Sequence, residues 1–152
     1  MMTNIKPADL YERAVAYLLQ MPKTEKQMRQ WYARKTTDQN LVDEQIARLQ
    51  EYNLLNDQDY ADAYVQCKQD KLGIGLIKNK LRLNGVAPAL IDQALANIGN
   101  QTELARLQVA KYLRHKDKTP ETKAKVFRWL LSKGFDYELC STVINDFWRE
   151  WN

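Results

Sequence analysis

The sequence predicts an all-α protein: three tandem three-helix, helix-turn-helix-like repeats forming an elongated curved solenoid. Three observations carry this. Apolar residues recur at helical spacing along the chain, and only five Gly and four Pro interrupt its 152 residues. The apolar pattern also falls on itself twice when the chain is shifted by 49 positions. Met28, Tyr32, Leu41, Val42, Ile46 and Leu49 match Ile77, Leu81, Leu90, Ile91, Leu95 and Ile98, and these match Val126, Leu130, Leu139, Cys140, Ile144 and Phe147. Gly85 and Gly134 coincide too, each followed by an apolar residue, Val86 or Phe135; Thr36 takes that place in the first repeat.

The elements follow in order. Helices are expected at 8–20, 24–35 and 39–52, then 57–71, 75–84 and 88–98, then 102–117, 120–133 and 136–150. Pro22 closes the first, and Thr24-Glu25-Lys26-Gln27 opens the second as a capping box. Asp57, Asp59 and Asp62 begin the fourth, where carboxylates offset the exposed N–H groups and the helix dipole; this is preferred over metal ligation. Gly73-Ile74-Gly75 is a tight turn between helices, Gly85 and Gly134 occupy left-handed C′ positions, and Pro88 starts the sixth helix. Thr119-Pro120-Glu121 caps the eighth. In the ninth, Leu139, Cys140, Val143, Ile144, Phe147 and Trp148 form one apolar stripe. A repeat of about 49 residues cannot bury an adequate core alone, so each stacks on its neighbour. The expected divisions are 5–55, 56–100 and 101–152.

Hydrophobic residues make up 45% and charged residues 28% of the chain, the balance of a soluble protein. No apolar run is long enough to span a membrane, and the first residues lack the apolar core of a signal peptide, so a cytoplasmic monomer without membrane contact is expected. Cys67 and Cys140 read as two small buried hydrophobes in a reducing compartment, and the single histidine, His115, has no partners for catalysis. No phosphate-binding loop, H-E-x-x-H, paired C-x-x-C or nucleophile elbow is present. The chain is therefore expected to be no enzyme and to need no cofactor or metal.

Net charge is +4, unevenly spread. Between 111 and 133, Lys111, Arg114, Lys116, Lys118, Lys123, Lys125, Arg128 and Lys133 face only Asp117 and Glu121, a local net of +6. Lys68, Lys71, Lys78, Lys80 and Arg82 face only Asp70. A basic run is usually a solvated face; two in neighbouring repeats point to an acidic or polyanionic partner. The residues expected to make that contact are Lys68, Lys71, Lys78 and Arg82, with Lys111, Arg114, Lys123, Lys125 and Arg128. Tyr11, Tyr60, Tyr64, Trp31, Trp129 and Trp148 read as packing residues, and Trp151 either packs back as an end cap or stays exposed for a partner.

Leu55-Asn56-Asp57-Gln58-Asp59-Tyr60-Ala61-Asp62-Ala63-Tyr64-Val65, followed by Lys68, Lys71, Gly73, Ile77, Leu81, Asn84-Gly85-Val86, Ile91 and Ala94-Leu95, resembles the central repeat of the RecX family. Ala14, Tyr17-Leu18-Leu19 and Leu49-Gln50-Glu51-Tyr52 in the first repeat, and Val126-Phe127-Arg128-Trp129-Leu130 with Lys133-Gly134-Phe135 in the third, extend the resemblance over nearly the whole chain. It departs from the family in lacking a proline after Gly73-Ile74-Gly75-Leu76 and a helix-ending glycine at Lys35-Thr36-Thr37. The resemblance implies a cytoplasmic regulator, acting in recombination, DNA repair and the SOS response. It would bind RecA and its DNA filament and inhibit RecA's ATP hydrolysis, strand exchange and co-protease activity. Net +4 favours only weak contact with naked single- or double-stranded DNA, so a protein surface must supply the rest. The alternative is an independent helical-repeat nucleic-acid binder with no RecA partner.

Overall fold

The computed structural model describes residues 5–150 and places nine α-helices and no strand among them. They are α1 (Pro7–Gln20), α2 (Glu25–Ala33), α3 (Gln39–Glu51), α4 (Asp57–Lys68), α5 (Ile74–Leu83), α6 (Pro88–Leu95), α7 (Thr102–Leu113), α8 (Pro120–Ser132) and α9 (Tyr137–Glu150). Every expected helix is present, and the helices are the three-helix sets that the period of 49 requires. Trp151 lies outside the described residues.

Local chemistry sets the boundaries. Thr24 accepts the Gln27 amide while the Gln27 side chain accepts the Thr24 amide, a complete capping box. Thr119 accepts the Thr122 amide ahead of Pro120, and Asp38 and Asp136, two periods apart, accept the Leu41 and Leu139 amides. Gly85 and Gly134 take φ of 94° and 98°, the left-handed conformation that costs glycine nothing. Val86 N–H then reaches back to the Leu81 carbonyl at 3.0 Å, closing α5 with a six-residue ring. Three helices stop three or more residues short of expectation: α4 at Lys68, α6 at Leu95 and α7 at Leu113. For α7 the reason is local, because Arg114 turns to an extended ψ and His115 adopts φ 67°.

Cα proximity divides the chain into two compact units. One holds residues through Ala63 with Leu81–Ala94; the other holds Tyr64–Lys80 with residues from Leu95 onward. The first unit's core gathers Leu10, Ala14 and Leu18 of α1, Met28, Trp31 and Tyr32 of α2, Val42, Ile46 and Leu49 of α3, and Leu55. One polar chain crosses it: Tyr32 donates to Gln45 Oε1 at 2.9 Å, and Gln45 Nε2 donates to the Pro7 carbonyl at 2.9 Å. Burial pushes the Tyr32 hydroxyl far above its ordinary value, so it stays protonated and keeps donating. In the second unit Ala105, Val109, Leu113, Val126, Leu130, Phe135, Cys140, Val143 and Ile144 close a core among α7, α8 and α9. Two sets of positions that coincide across the period are fully buried: Met28, Ile77 and Val126 are 0% exposed, as are Tyr32, Leu81 and Leu130.

One expectation needs correction. Cys67 is exposed on α4, so only Cys140 is a buried hydrophobe; both thiols are free. Asp57 and Asp59 stand in the first turn of α4 as expected; Asp57 Oδ1 also accepts the Glu25 amide of α2 at 2.9 Å, and Asn56 receives the Asp59 amide. Among the described residues no three His, Cys, Asp or Glu side chains converge as a metal site would need, and no helix is long and apolar enough to cross a membrane.

Candidate partner-binding surface

Each repeat junction is built on the same positions. In the first unit, Thr24 Oγ1 donates to the Asn84 carbonyl at 2.5 Å, and Lys26 Nζ donates to the Leu83 carbonyl at 3.2 Å. One period on, in the second unit, Gly73 N–H donates to the Lys133 carbonyl at 2.7 Å and Gly75 N–H to the Gly134 carbonyl at 2.9 Å. The start of a repeat's second helix thus docks on the glycine turn of the next. Gln101 completes the second junction, its Oε1 accepting Ile74 N–H and its Nε2 donating to the Leu72 carbonyl. These polar contacts fix the frame on which the basic side chains are carried.

Of the nine cations expected to contact a partner, eight lie in the second unit and Arg82 in the first. Lys71, Lys78, Arg82, Lys111, Arg114, Lys125 and Arg128 are exposed; Lys68, in the last turn of α4, and Lys123 are half-buried. Arg114 follows Lys111 by three positions at the end of α7, and Arg128 follows Lys125 by three on α8, so each pair shares a helix face. Lys111 and Arg114 border a shallow cavity of about 550 Å³ with Leu107, Ala110, Leu113 and Phe147. Arg29, Arg106 and Arg149 are held in ion pairs with Glu25 and Asp43, with Asp146, and with Asp146 respectively.

A larger cleft of about 1000 Å³ lies in the same unit, lined by Ile74, Gly75, Leu76 and Asn79 of α5, Gln101, Leu131, Phe135, Asp136, Glu138 and Leu139. None of the expected cations lines it. Asp136 there is engaged in capping α9, its carboxylate accepting the Leu139 amide at 2.8 Å.

Sequence reasoning missed one feature of this surface. Tyr112 and Trp129 pack with ring centroids 5.0 Å apart, Lys116 lies 5.5 Å from the Tyr112 centroid, and Lys133 lies 5.6 Å from that of Trp129. Lys118 and Lys123 approach Trp148 at 5.9 and 6.0 Å, and Lys118 Nζ donates to the Phe147 carbonyl. The aromatic residues do pack, as expected, but they also hold lysines in place by cation–π attraction. The signal was the recurrence of Trp31 and Lys35 as Trp129 and Lys133, two periods later.

Comparison with known proteins gives a consistent result. Residues 56–95 match the family model for the second three-helix domain of RecX, and residues 100–144 match the third; together they cover more than half of the chain. Regulatory protein RecX of Clostridium perfringens strain 13 is 35% identical over 128 residues, 80% of this chain and 60% of that protein. Regulatory protein RecX of Clostridium botulinum strain Eklund 17B is 31% identical over 141 residues, 89% of this chain and 66% of that protein. This chain thus spans less than two thirds of the length of these relatives. Among solved structures, RecX from Lactobacillus salivarius superimposes with a TM-score of 0.80 at 25% identity, covering 92% of this chain and 95% of that one. A second regulatory protein RecX gives 0.79 at 26% identity, over 91% of this chain and 71% of the other.

Proposed function

Because the chain belongs to the RecX family, we propose that it is a regulatory protein that binds RecA and RecA's filament on DNA. It restrains RecA's ATP hydrolysis, strand exchange and co-protease activity by occupying the filament, without chemistry of its own. Lys111, Arg114, Lys125 and Arg128, with Lys68, Lys71, Lys78, Arg82 and Lys123, contact phosphate or acidic protein surface. The three repeats, 5–55, 56–100 and 101–152, serve as its binding modules, and it works as a cytoplasmic monomer.

The observation that carries this reading is the exposed cationic face of α7 and α8, inside the segment that matches the family's third three-helix domain. That same face favours a second reading, a nucleic-acid binder acting without RecA. Co-sedimentation with RecA filaments on single-stranded DNA, beside a DNA-only control, separates the two. The proposal requires retention on RecA–DNA well beyond DNA alone, with a fall in RecA's DNA-dependent ATP hydrolysis. Equal retention on both, with ATP hydrolysis untouched, selects the second reading.

A further inference from the structure

A shallow groove in the second unit joins an apolar floor to a pair of cations. Leu107, Ala110 and Leu113 of α7 line it with Phe147 of α9, and the charged residues that border it, Lys111 and Arg114, are both basic. Leu107, Ala110, Lys111 and Arg114 fall at i, i+3, i+4 and i+7, one stripe of a helix surface. The stripe that α7 gives to the core is a different one, Ala105, Val109 and Leu113. Apolar residues thus occupy two faces of α7, and on the outer face Leu107 is 68% exposed. The repeat architecture does not require this. When the fully buried alanines of the three first helices, Ala14, Ala61 and Ala105, are aligned, Leu107 takes the place of Ala16 and Ala63. Lys111 takes that of Gln20 and Cys67, and Arg114 that of Lys23 and Asp70. The third repeat alone combines a large apolar side chain with two cations there. Lys111, in the last turn of α7, also offsets the helix dipole, which accounts for one cation but not for Leu107 beside it.

The chemistry of the groove restricts what it can hold. A single exposed leucine needs no explanation, but Leu107 is contiguous with Ala110 and Phe147 around a cavity of about 550 Å³. A phosphate backbone would satisfy the two cations and leave the apolar floor in water. A nucleobase edge presents donors and acceptors, and no amide or hydroxyl side chain lines the groove to read them. What meets both parts is an apolar side chain with carboxylates beside it. On a helical protein segment, residues three or four apart share a face, the same spacing that sets Leu107 beside Lys111. The apolar side chain would fill the floor, and the carboxylates would reach Lys111 and Arg114.

We propose that the groove bordered by Leu107, Phe147, Lys111 and Arg114 docks a protein segment that carries a large apolar side chain flanked by carboxylates. This rests on the reading above that α7 presents a partner surface; it assigns Lys111 and Arg114 to protein and adds Leu107 and Phe147 to the site. The test uses the full chain and fluorescence anisotropy. The probe is a labelled helical peptide of alternating leucine and paired glutamates, beside one with serine for each leucine, one with glutamine for each glutamate, and an oligothymidine single strand. The leucine–glutamate peptide should bind and the two altered peptides should bind more weakly. Leu107→Ser should weaken its binding about tenfold or more, the contribution of burying a leucine side chain, and leave the single strand unaffected. Lys111→Gln/Arg114→Gln should weaken it about threefold to tenfold at low salt, the range for two exposed ion pairs. Leu83→Ser and Lys6→Gln/Arg13→Gln, matched changes at exposed positions of the first unit, should leave it in place. Circular dichroism on each variant checks that helicity is retained. Failure of the peptide to bind, binding indifferent to Leu107, or an equal loss in the controls overturns the proposal. So does loss of single-strand binding in Leu107→Ser with peptide binding intact, which would assign the groove to nucleic acid. Peptide binding that depends on Leu107, in a protein that leaves RecA activity untouched, supports the groove while rejecting the function proposed above.

Discussion

Gly73 lies directly against Gly134: a Cβ added at Gly73 would sit 2.2 Å from the Gly134 carbonyl carbon and 2.4 Å from its oxygen. Both neighbours are backbone, so no side-chain rotation relieves the clash. The Gly73 N–H bond to the Lys133 carbonyl depends on this approach. Gly73→Ala should cost about 1–3 kcal/mol, the usual range for overpacking a tight contact. Urea unfolding measures it, and a midpoint equal to the parent's would show that the junction opens freely.

Leu81 provides the complementary case of lost volume. It is 0% exposed and takes the place held by Tyr32 and Leu130 in the other repeats. Leu81→Ala should cost about 2–5 kcal/mol, the transfer loss plus a residual cavity. A parent-like denaturation midpoint would remove it from the core.

The fold was legible because period and punctuation agreed. Thr24, Asp38, Thr119 and the glycines at 85 and 134 mark helix ends through local hydrogen bonds and φ values, and such signals need no tertiary context. The missing glycine at Thr36 is now physical: Lys35 and Thr36 N–H both reach the Tyr32 carbonyl, and the turn closes without a positive φ. What stayed hidden depends on long-range neighbours. Asp57 caps a helix 32 positions away, and Lys116 finds its ring only because α7 ends four residues sooner than periodicity implies. The charge clusters were legible as composition, whereas their division into ring-held and open cations was not.

The Asp57 contact carries a pH dependence. Burial pushes its carboxyl above the ordinary value of 3.8, and the Glu25 carboxylate adds to this, while the Glu25 amide opposes it. A raised folded value means that the folded chain holds this proton more tightly than the unfolded chain. The resulting stabilisation is complete below the unfolded value and is lost as pH rises through the folded one. Asp57→Asn retains an acceptor for Glu25 N–H and removes the buried charge. Its stability relative to the parent should therefore improve from about pH 3 to about pH 7, read as the difference in urea midpoints. The opposite trend would mean that attraction between the carboxylate and the start of α2 outweighs burial.

The two thiols should separate cleanly. Cys67 is exposed, whereas Cys140 is 0% exposed, contacts the Phe135 carbonyl oxygen at 3.6 Å, and has its thiol pushed up to about 11 by burial, with Asp136 adding to the shift. Thiolate is the reactive form, so a disulfide-exchange reagent at neutral pH should titrate one group in the native chain and two in denaturant. Rapid native labelling of both would contradict the packing of α9.

The functional reading is tested most directly on α8. Lys125 and Arg128 are exposed on it, and Lys123 lies 6.0 Å from the Trp148 centroid. Reversal of all three to Glu should leave the fold intact. The two exposed positions contribute little to stability, and loss of one cation–π contact costs about 0.5–1 kcal/mol at a partly exposed site. Attachment to RecA filaments should weaken and inhibition of DNA-dependent ATP hydrolysis should be relieved, because three phosphate or carboxylate contacts become repulsive. Duplex binding without RecA should lose nearly three units of salt slope, about 0.9 for each contact. Undiminished inhibition alongside abolished DNA binding would restrict this face to DNA and place the RecA contacts elsewhere on the repeats.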